Sequence, residues 1–361
     1  MQSLLLVDDN ATLLEGLRAR LASLLAYDDV DIRVWTPTRE KEPSTEFDSN
    51  VDDETVLVVT DYDLTSQGVK GLFGLTIVGW CQNRLIPVGD FSRGNVTALP
   101  KEPNLFELRI PNTEADAASY IASTFKGFSE IRHAVAAQAN LASKQSLATL
   151  LSGLLGRPRL DNQFALYMSR LGSANSALIQ FLQQHIKLDN PPQNKDKVRL
   201  LSYVLGHVLL NAILKFPGPI LSDHALCAYT ATSTAEIIDL AGLFSSARYT
   251  GPFSGGRQYY WRDDVDAVLD DLGSGLEDRE FDTLATYNRA AVESRLGRSL
   301  SRHCCERCGG INGGFLCPFT QRTVCQRSDC SVSASSWVPQ GAQLSRVERD
   351  FYDEWAPLLG L

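Results

Sequence analysis

The spacing of apolar and polar positions divides the chain into an N-terminal, a middle and a C-terminal part. In the N-terminal part, short unbroken apolar runs alternate with amphipathic stretches, a pattern typical of a parallel sheet between helices. In the middle part, apolar residues recur mostly at the three- and four-residue spacing of helices. Near the C-terminus this periodicity gives way to a segment dense in cysteine. We therefore expect a multidomain protein, α/β at the start and mainly α afterwards.

Two apolar runs of the N-terminal part end on carboxylates. Leu4–Val7 is followed by Asp8 and Asp9, and Val56–Val59 leads, after one threonine, to Asp61. Open α/β sheets bind their ligands beyond the carboxyl ends of the strands, where these acids would meet. Three carboxylates repel one another there unless a hard cation such as Mg²⁺ joins them. The two runs therefore predict a divalent-metal site.

An alternative interpretation of the first acidic pair is local. Aspartate is a frequent N-cap, so Asp9 could serve only to cap the helix that begins near Asn10. That interpretation does not explain why a second strand ends on Asp61 in the same way.

Over Leu4 to about Phe128 the N-terminal part resembles the receiver domain of two-component response regulators. The resemblance implies a doubly wound parallel sheet with a phosphoacceptor aspartate at the end of its third strand. The segments that carry it are the opening Leu5–Asn10, the phosphoacceptor loop Asp61–Leu64, the start of the third helix Gly74–Val78 and the fourth strand Leu85–Ser92.

The resemblance implies a role for each polar residue of this pocket. Asp61 would be the nucleophile that accepts a phosphoryl group as an acyl phosphate. Asp9 would bind Mg²⁺ directly, Asp8 largely through water, and Asp63 through its backbone carbonyl. The Ser92 hydroxyl would be the switch group that closes on the bound phosphate.

The cation that completes such a pocket departs from the family pattern. The predicted fifth strand, Leu105–Pro111, places Arg109 where receivers have a lysine, and Lys101 lies too early for that strand. A planar guanidinium does not replace a lysine point charge without consequence, so Arg109 and Lys101 both remain candidate phosphate ligands. Two hypotheses follow, a receiver phosphorylated at Asp61 or a pseudo-receiver.

Two connecting segments also differ from the family. Thr36–Glu54 is acidic and poor in apolar residues, which predicts a loop in place of part of the second helix. The segment between Ser92 and Leu105 is rich in glycine, asparagine and proline and is too short for a full fourth helix.

A chain of 361 residues is long enough for two or three domains. We expect a receiver-like domain at 1–130, a connecting helix at 131–160, a helical and winged-helix-like domain at 161–272, and a zinc module with a C-terminal helix at 273–361.

The middle part has the outline of a winged helix, in which helices are followed by two strands around a glycine turn. The predicted helices are Asn162–Leu171, Ser176–Ile186, Val198–Lys215, Ser222–Tyr229 and Ala235–Ser246. The predicted strands are Arg248–Phe253 and Gln258–Arg262.

A winged helix that reads DNA carries arginine, lysine, asparagine or glutamine on its second helix. Here that helix offers Glu236 and Asp239. Arg248, Arg257 and Arg262 could meet phosphates only through the strands and their turn. A contact with protein or a purely structural role is therefore favoured over nucleic acid, and all three remain open.

Six of the eight cysteines lie between Cys304 and Cys330. Two close pairs separated by a loop are a signature of a tetrahedral zinc site, because each pair offers two thiolates to one ion. A disulfide framework is the alternative, which a cytosolic chain disfavours. The ligands that we predict are Cys305, Cys308, Cys325 and Cys330, with Cys317 and Cys304 as substitutes.

The same segment is locally basic, with Arg302, Arg307, Arg322 and Arg327 against two acids. It is the part of the chain best suited to nucleic acid, although zinc modules bind proteins about as readily. The formal net charge of −9 argues against broad, non-specific binding of nucleic acid.

Nothing in the sequence predicts a membrane span or a signal peptide. No stretch approaches the roughly 18 apolar residues that a span needs, and no basic segment precedes an apolar one at the N-terminus. We therefore expect a cytoplasmic protein without contact to a membrane.

Together these features predict a regulator or adaptor of the two-component type, with Mg²⁺ in the acidic pocket and structural Zn²⁺ at the cysteines. A histidine kinase or another phosphodonor protein would act on Asp61, and the output would be contact with a partner protein or nucleic acid. We expect no enzymatic activity beyond self-phosphorylation from such a donor. The alternative is a non-signalling structural subunit of a larger complex that the zinc module holds together.

Overall fold

The computed structural model describes residues 1–26, 28–38, 41–65, 71–91, 106, 108–111, 113–137, 146–173, 194–276, 279–311, 314–334 and 336–356. The chain divides into two compact units. The first contains Met1–Gln145 and Leu171–His207, and the second contains Ser146–Arg170 and Val208–Leu361.

The first unit is built around a five-stranded parallel sheet with the strand order β2-β1-β3-β4-β5. This is the order of a doubly wound, flavodoxin-like sheet, and it fits the receiver-like α/β fold expected from the sequence. The strands are β1 Gln2–Val7, β2 Val30–Trp35, β3 Thr55–Asp61, β4 Val88–Phe91 and β5 Leu108–Arg109. The helices around them are α1 Ala11–Leu24, α2 Pro43–Asn50, α3 Gly74–Asn83 and α4 Glu114–Ala137.

The central strands β1 and β3 are buried on both faces of the sheet. Leu4 and Leu5 are adjacent along β1 and therefore face opposite sides, yet both are fully buried, as the unbroken apolar run predicts. The register pairs Val7 of β1 with Thr60 of β3. Asp8, the residue after β1, and Asp61, the last residue of β3, therefore come side by side at one edge of the sheet.

The acidic segment between β2 and β3 contains a helix where the sequence predicted a loop. Helix α2 begins at Pro43, which suits a first turn because the missing N–H needs no partner there. Phe47 is fully buried, with its ring centre 6.0 Å from that of Trp35 and 5.4 Å from that of Trp80. One aromatic residue thus anchors a helix whose other positions are mostly polar.

Strand β4 begins later than predicted, and the predicted fifth strand is described only in part. The prediction that Leu85 belongs to the fourth strand is wrong, because this residue has a positive φ of 55° and closes the turn after α3. β4 begins only at Val88. Of the residues described in the predicted fifth strand, Leu108 and Arg109 form β5 and pair with the middle of β4.

Beyond residue 145 the described chain is mainly helical, with short antiparallel strand pairs. The helices are α5 Leu147–Leu154, α6 Asp161–Ser173, α7 Asn194–Val208, α8 Asp223–Tyr229, α9 Ile237–Leu243, α10 Arg262–Leu272, α11 Leu284–Leu296 and α12 Arg349–Trp355, with a π-helical turn Leu209–Ile213 after α7. The strand pairs are β6 Ile220–Ser222 with β7 Tyr259–Trp261, β8 Phe315–Leu316 with β9 Thr323–Val324, and β10 Ser331–Val332 with β11 Val347–Glu348. The predicted helix Ser176–Ile186 lies outside the described residues. Among the described helices, none is long and apolar enough to cross a membrane.

The segment predicted as a winged helix has its helices at the expected places but shorter strands. Helix α9 covers the centre of the predicted Ala235–Ser246, with a short helical turn at each end. Instead of a strand over Arg248–Phe253, only Arg248 pairs with Tyr260 of β7. The chain leaves the pairing early and turns through Phe253, whose φ is 67°. We refer to residues 248–258 as the wing.

One hydrophobic core joins the helices of the second unit to the cysteine-rich segment. Leu226 of α8, Phe244 after α9 and Val265 of α10 are buried in it. Leu316 of β8 belongs to the same cluster and is fully buried. The cysteine-rich segment therefore packs as part of this unit.

Candidate functional site

The acids predicted to bind a divalent cation come together at one edge of the sheet. Asp8 and Asp9 follow β1, and Asp61 is the last residue of β3. One carboxylate oxygen from each lies within 4.8 Å of the other two, and we call these three residues the acidic cluster. Asp8 and Asp9 are only 7% and 6% exposed. Carboxylate oxygens at this spacing suit a hard cation such as Mg²⁺.

The helix after β1 is capped by Asn10. Its side-chain oxygen accepts hydrogen bonds from the backbone N–H groups of Thr12 and Leu13, at 3.1 and 3.2 Å. The alternative interpretation of Asp9 as this N-cap is therefore wrong. Asp8 Oδ1 accepts the backbone N–H of Asn10 at 2.7 Å, which ties the acidic cluster to the start of α1.

The Asp61 carboxyl group lies in surroundings that disfavour its charge. The pKa of Asp61 is raised to about 6, mainly by burial and then by the neighbouring carboxylate of Asp8, with a smaller effect of Asp9. Hydrogen bonds from the backbone N–H groups of Tyr62 and Asp63 act in the opposite direction. A cation among these acids would relieve both the repulsion and the loss of hydration.

Helix α3 begins against the loop that follows Asp61. As predicted, its first residue is Gly74, whose N–H donates to the carbonyl of Tyr62 at 2.9 Å. A Cβ on Gly74 would lie 2.3 Å from the backbone oxygen of Asp61. Glycine therefore allows an approach between helix and loop that any other residue would prevent.

The Asp63 side chain is engaged within its own turn. Its Oδ1 accepts the hydroxyl of Thr65 at 2.6 Å and the N–H of Thr65 at 3.0 Å, and these bonds lower the pKa of Asp63. The role expected of Asp63 concerns its backbone carbonyl and stays a prediction.

The residues predicted to close on the phosphate are described only in part. Arg109 is exposed on β5, where the register places it opposite Asp90 of β4. Ser92 and Lys101 lie outside the described residues. The phosphate contacts of all three stay predictions.

The four cysteines chosen from the sequence as zinc ligands lie together. The Sγ atoms of Cys305, Cys308, Cys325 and Cys330, here called the cysteine cluster, are all within 4.8 Å of one another. The Sγ atoms of Cys308 and Cys325 are 3.7 Å apart, close to the roughly 3.8 Å edge of a tetrahedron with Zn–S bonds of about 2.3 Å. All eight cysteines are free thiols, so the structure contains no disulfide framework. The cluster is able to hold a metal such as zinc.

Cys308 differs from the other members of the cysteine cluster because it is exposed. Its Sγ accepts the N–H of Gly310 at 3.4 Å. This hydrogen bond, with further ones from neighbouring thiols, lowers the pKa of Cys308 to about 7. A thiolate, the form that binds metal, is thus accessible at neutral pH.

The two substitute ligands named from the sequence stand apart from the cysteine cluster. Cys317 is buried, and its Sγ accepts the backbone N–H of Glu348 at 3.3 Å. Cys304 is exposed, and its thiol donates to the carbonyl of Arg302 at 3.4 Å. The side chains of both point to partners other than the four sulfurs.

Three of the arginines that make the cysteine-rich segment basic are in ion pairs. The pairs are Arg307 with Asp350 at 2.9 Å, Arg322 with Glu348 at 3.1 Å, and Arg327 with Asp329 at 3.6 Å. Each pair reduces the charge available to a phosphate backbone.

A cavity of about 760 Å³ at the opposite, amino-terminal end of the sheet was not predicted. Charged side chains from before β2 and β3, from α4 and from α7 line it, and many pair with one another. The pairs are Lys126 with Asp28 at 3.1 Å, Arg132 with Glu54 at 3.3 Å, and Arg199 with Asp53. No local pattern could have indicated it, because its residues come from segments far apart in the chain.

No protein-family model, curated protein or solved structure matches the chain. Its function is therefore inferred from its own residues and their geometry.

Proposed function

We propose that the first unit is a receiver-like signalling domain that binds a divalent cation and accepts a phosphoryl group on Asp61. The observation that supports this function is the convergence of Asp8, Asp9 and Asp61 at the carboxyl ends of β1 and β3. The strand order and the close approach of Gly74 to the loop after Asp61 agree with it. The whole protein would then be a regulator or adaptor.

In the proposed reaction, an oxygen of the Asp61 carboxylate attacks the phosphorus of a phosphodonor. The bond from phosphorus to the leaving group breaks, the electron pair departs with that group, and an acyl phosphate remains on Asp61. Asp8 and Asp9 would hold Mg²⁺, which when bound neutralises charge on the phosphoryl oxygens. Ser92 would donate its hydroxyl to the phosphate, and Arg109 would supply a positive charge. A histidine kinase or another phosphodonor protein would be the donor.

Labelling with radioactive acetyl phosphate tests this function. We expect the full-length protein to gain a hydroxylamine-sensitive label that requires Mg²⁺ and is lost in Asp61→Asn. Asp63→Asn is the matched control and keeps the label, because it retains the backbone carbonyl of residue 63 and changes only a side chain that bonds to Thr65 outside the acidic cluster. A wild-type protein that never becomes labelled would contradict phosphoryl transfer and favour a pseudo-receiver or a structural subunit.

A second function, structural binding of zinc, is supported by the cysteine cluster. Cys305, Cys308, Cys325 and Cys330 would ligate one Zn²⁺ and leave no open position for catalysis. Elemental analysis should find one zinc per chain in the wild type and in Cys304→Ser, and none in Cys325→Ser. Zinc without phosphoryl transfer would favour the alternative of a non-signalling structural subunit in a larger complex.

The proposed output partner is a protein. The succession of β6, α8, α9, the Arg248 pairing and β7 supports the winged-helix interpretation. On α9, Ile238 is 85% exposed and Asp239 pairs with Arg298. A helix that presents an isoleucine and an acid suits a protein surface, whereas a DNA reader needs basic or amide side chains there. Nucleic acid remains the alternative.

A further inference from the structure

The segment that leads into the cysteine cluster is bonded through its backbone to the helical part of the second unit. Ser233 N–H donates to the carbonyl of Ser301 at 2.8 Å, and His303 N–H donates to the carbonyl of Ala231 at 3.1 Å. The residues between these two bonds form an antiparallel bridge. The turn after α8 and the approach to the first cysteine pair are therefore one local structure.

The hairpin between the two cysteine pairs reaches into the hydrophobic core. Leu316 of β8 is fully buried in the same cluster as Leu226 and Phe244. β8 and β9 pair over only two residues each. Because even longer isolated hairpins are marginal in water, this one depends on anchors outside itself.

The turn of this hairpin contacts the start of α8 and the wing. Gln321 has a positive φ of 59°, which is uncommon for a residue other than glycine. Its side-chain oxygen accepts a hydrogen bond from Arg257 of the wing at 2.5 Å. Its carbonyl oxygen lies 3.4 Å from His224 Nδ1 on α8. These contacts hold the turn against the helical part.

The other end of the hairpin is bonded to the two residues that flank Cys305 of the cysteine cluster. The Thr323 hydroxyl donates to the carbonyl of Cys304 at 2.6 Å, and Thr323 N–H donates to the Glu306 carboxylate at 3.0 Å. Cys325 follows β9 directly. A continuous set of contacts thus runs from the four sulfurs through the hairpin to α8.

We propose that a zinc ion bound in the cysteine cluster stabilises the fold of the second unit, a role that we call the clasp. Whether zinc is bound would then decide whether the surface of α8, α9 and the wing is formed. The inference rests on the zinc site proposed above. Without the ion, the two cysteine pairs lose their common ligand, and two-residue strands are too short to keep Leu316 in the core. The cavity left beside Leu226 and Phe244 then destabilises α8.

Hydrogen exchange on the full-length protein tests the clasp. Exchange is measured with zinc, after removal of zinc by a chelator, and after zinc or magnesium is added back. We expect amides of α8 and β7 to exchange at least about tenfold faster without zinc, as for a locally unfolded segment. Zinc restores their protection and magnesium does not. Amides of β1 and β3 in the first unit are the internal reference and should not change.

Three variants separate the clasp from the metal site. Cys325→Ser should lose zinc and show fast exchange in α8, whereas Cys304→Ser, adjacent to a ligand but outside the cluster, keeps both zinc and protection. Leu316→Ala should keep zinc and still lose protection in α8, because it breaks the link and leaves the ligands intact. Protection of α8 that survives loss of zinc would overturn the clasp while leaving the zinc site standing. A chain that binds no zinc would overturn both.

Discussion

Asp61 is an acid in surroundings that favour its neutral form. Burial and the carboxylate of Asp8 raise the pKa of Asp61 to about 6. At neutral pH the folded protein therefore carries a charge that costs more free energy than it would in the unfolded chain. The same cost favours binding of a cation, because an ion among the three acids removes the repulsion between their charges. Asp63 behaves in the opposite way, because hydrogen bonds from Thr65 lower its pKa.

Asp61→Asn should stabilise the cation-free protein at pH 7. The native state holds the Asp61 proton more tightly than the unfolded state, so the contribution of Asp61 to stability falls as pH rises from about 4 to about 6. We expect the free energy of unfolding to increase by about 1–2 kcal/mol, less than the full shift implies because solvent screens the charges. Urea unfolding with a chelator present measures it. Asp63→Asn, the matched control, should lower stability at pH 7, and a gain in both variants would contradict the argument.

Affinity for Mg²⁺ should fall as pH drops through 6. A proton and the cation compete for Asp61, so we expect a decrease of up to about tenfold per pH unit below its pKa. Calorimetric titration at pH 7.5 and 5.0 measures the effect. Asp61→Asn should bind Mg²⁺ weakly with little dependence on pH. Equal wild-type affinities at the two pH values would show that Asp61 is not a ligand.

Among the elements, two helices begin at the acidic cluster, and a single residue positions each start. Asn10 caps α1 and donates its N–H to Asp8, so the helix and the acid are held together. Gly74 starts α3 against the backbone oxygen of Asp61. Changes at these two positions should therefore alter cation binding as well as helix stability.

Gly74→Ala should destabilise the first unit although alanine favours helices. Its Cβ would lie 2.3 Å from the Asp61 oxygen, and we expect a loss of about 1–3 kcal/mol together with weaker binding of Mg²⁺. The matched control is Gly79→Ala in the same helix, where a Cβ meets nothing within 4 Å. That variant should gain up to about 1 kcal/mol. Thermal or urea unfolding compares the two, and equal stabilities would refute the close approach at Gly74.

For the whole molecule, the charge is acidic overall, and acids pair with arginines of its basic segment. The net charge is −9. In the described part of the cysteine-rich segment, Arg307, Arg322 and Arg327 each pair with an acid. These ion pairs offset part of the positive charge that the sequence suggested as a footprint for nucleic acid.

Binding of duplex DNA should be undetectable or non-saturable even at low salt. Since phosphate contacts dominate such affinities, fluorescence anisotropy at about 50 mM salt is the most permissive test. The double variant Arg322→Ala with Arg327→Ala should behave like the wild type. Saturable binding that weakens in the double variant and with added salt would restore the nucleic-acid hypothesis.

The grouping of side chains in both clusters could be predicted from the sequence because each signal is local. Two apolar runs that end on Asp8 and Asp61 must bring those acids to one edge if the strands are parallel neighbours. Cys305 and Cys308 form a close pair in any fold. A second pair at similar spacing, Cys325 and Cys330, indicates that the four cysteines bind one shared ion. The length of β4 could not be predicted in this way, because the left-handed turn at Leu85 is not visible in its apolar pattern.

Features that depend on contacts between residues far apart in the chain could be found only in the tertiary structure. Helix α2 forms because the Phe47 ring packs against Trp35 and Trp80. No pattern within the acidic segment indicates this packing. Leu316 belongs to the same hydrophobic core as Leu226 of α8, since its hairpin is too short to bury it alone. Spacing along the chain determined which groups can bind ions. Packing between distant segments decided which helices and strands such ions would stabilise.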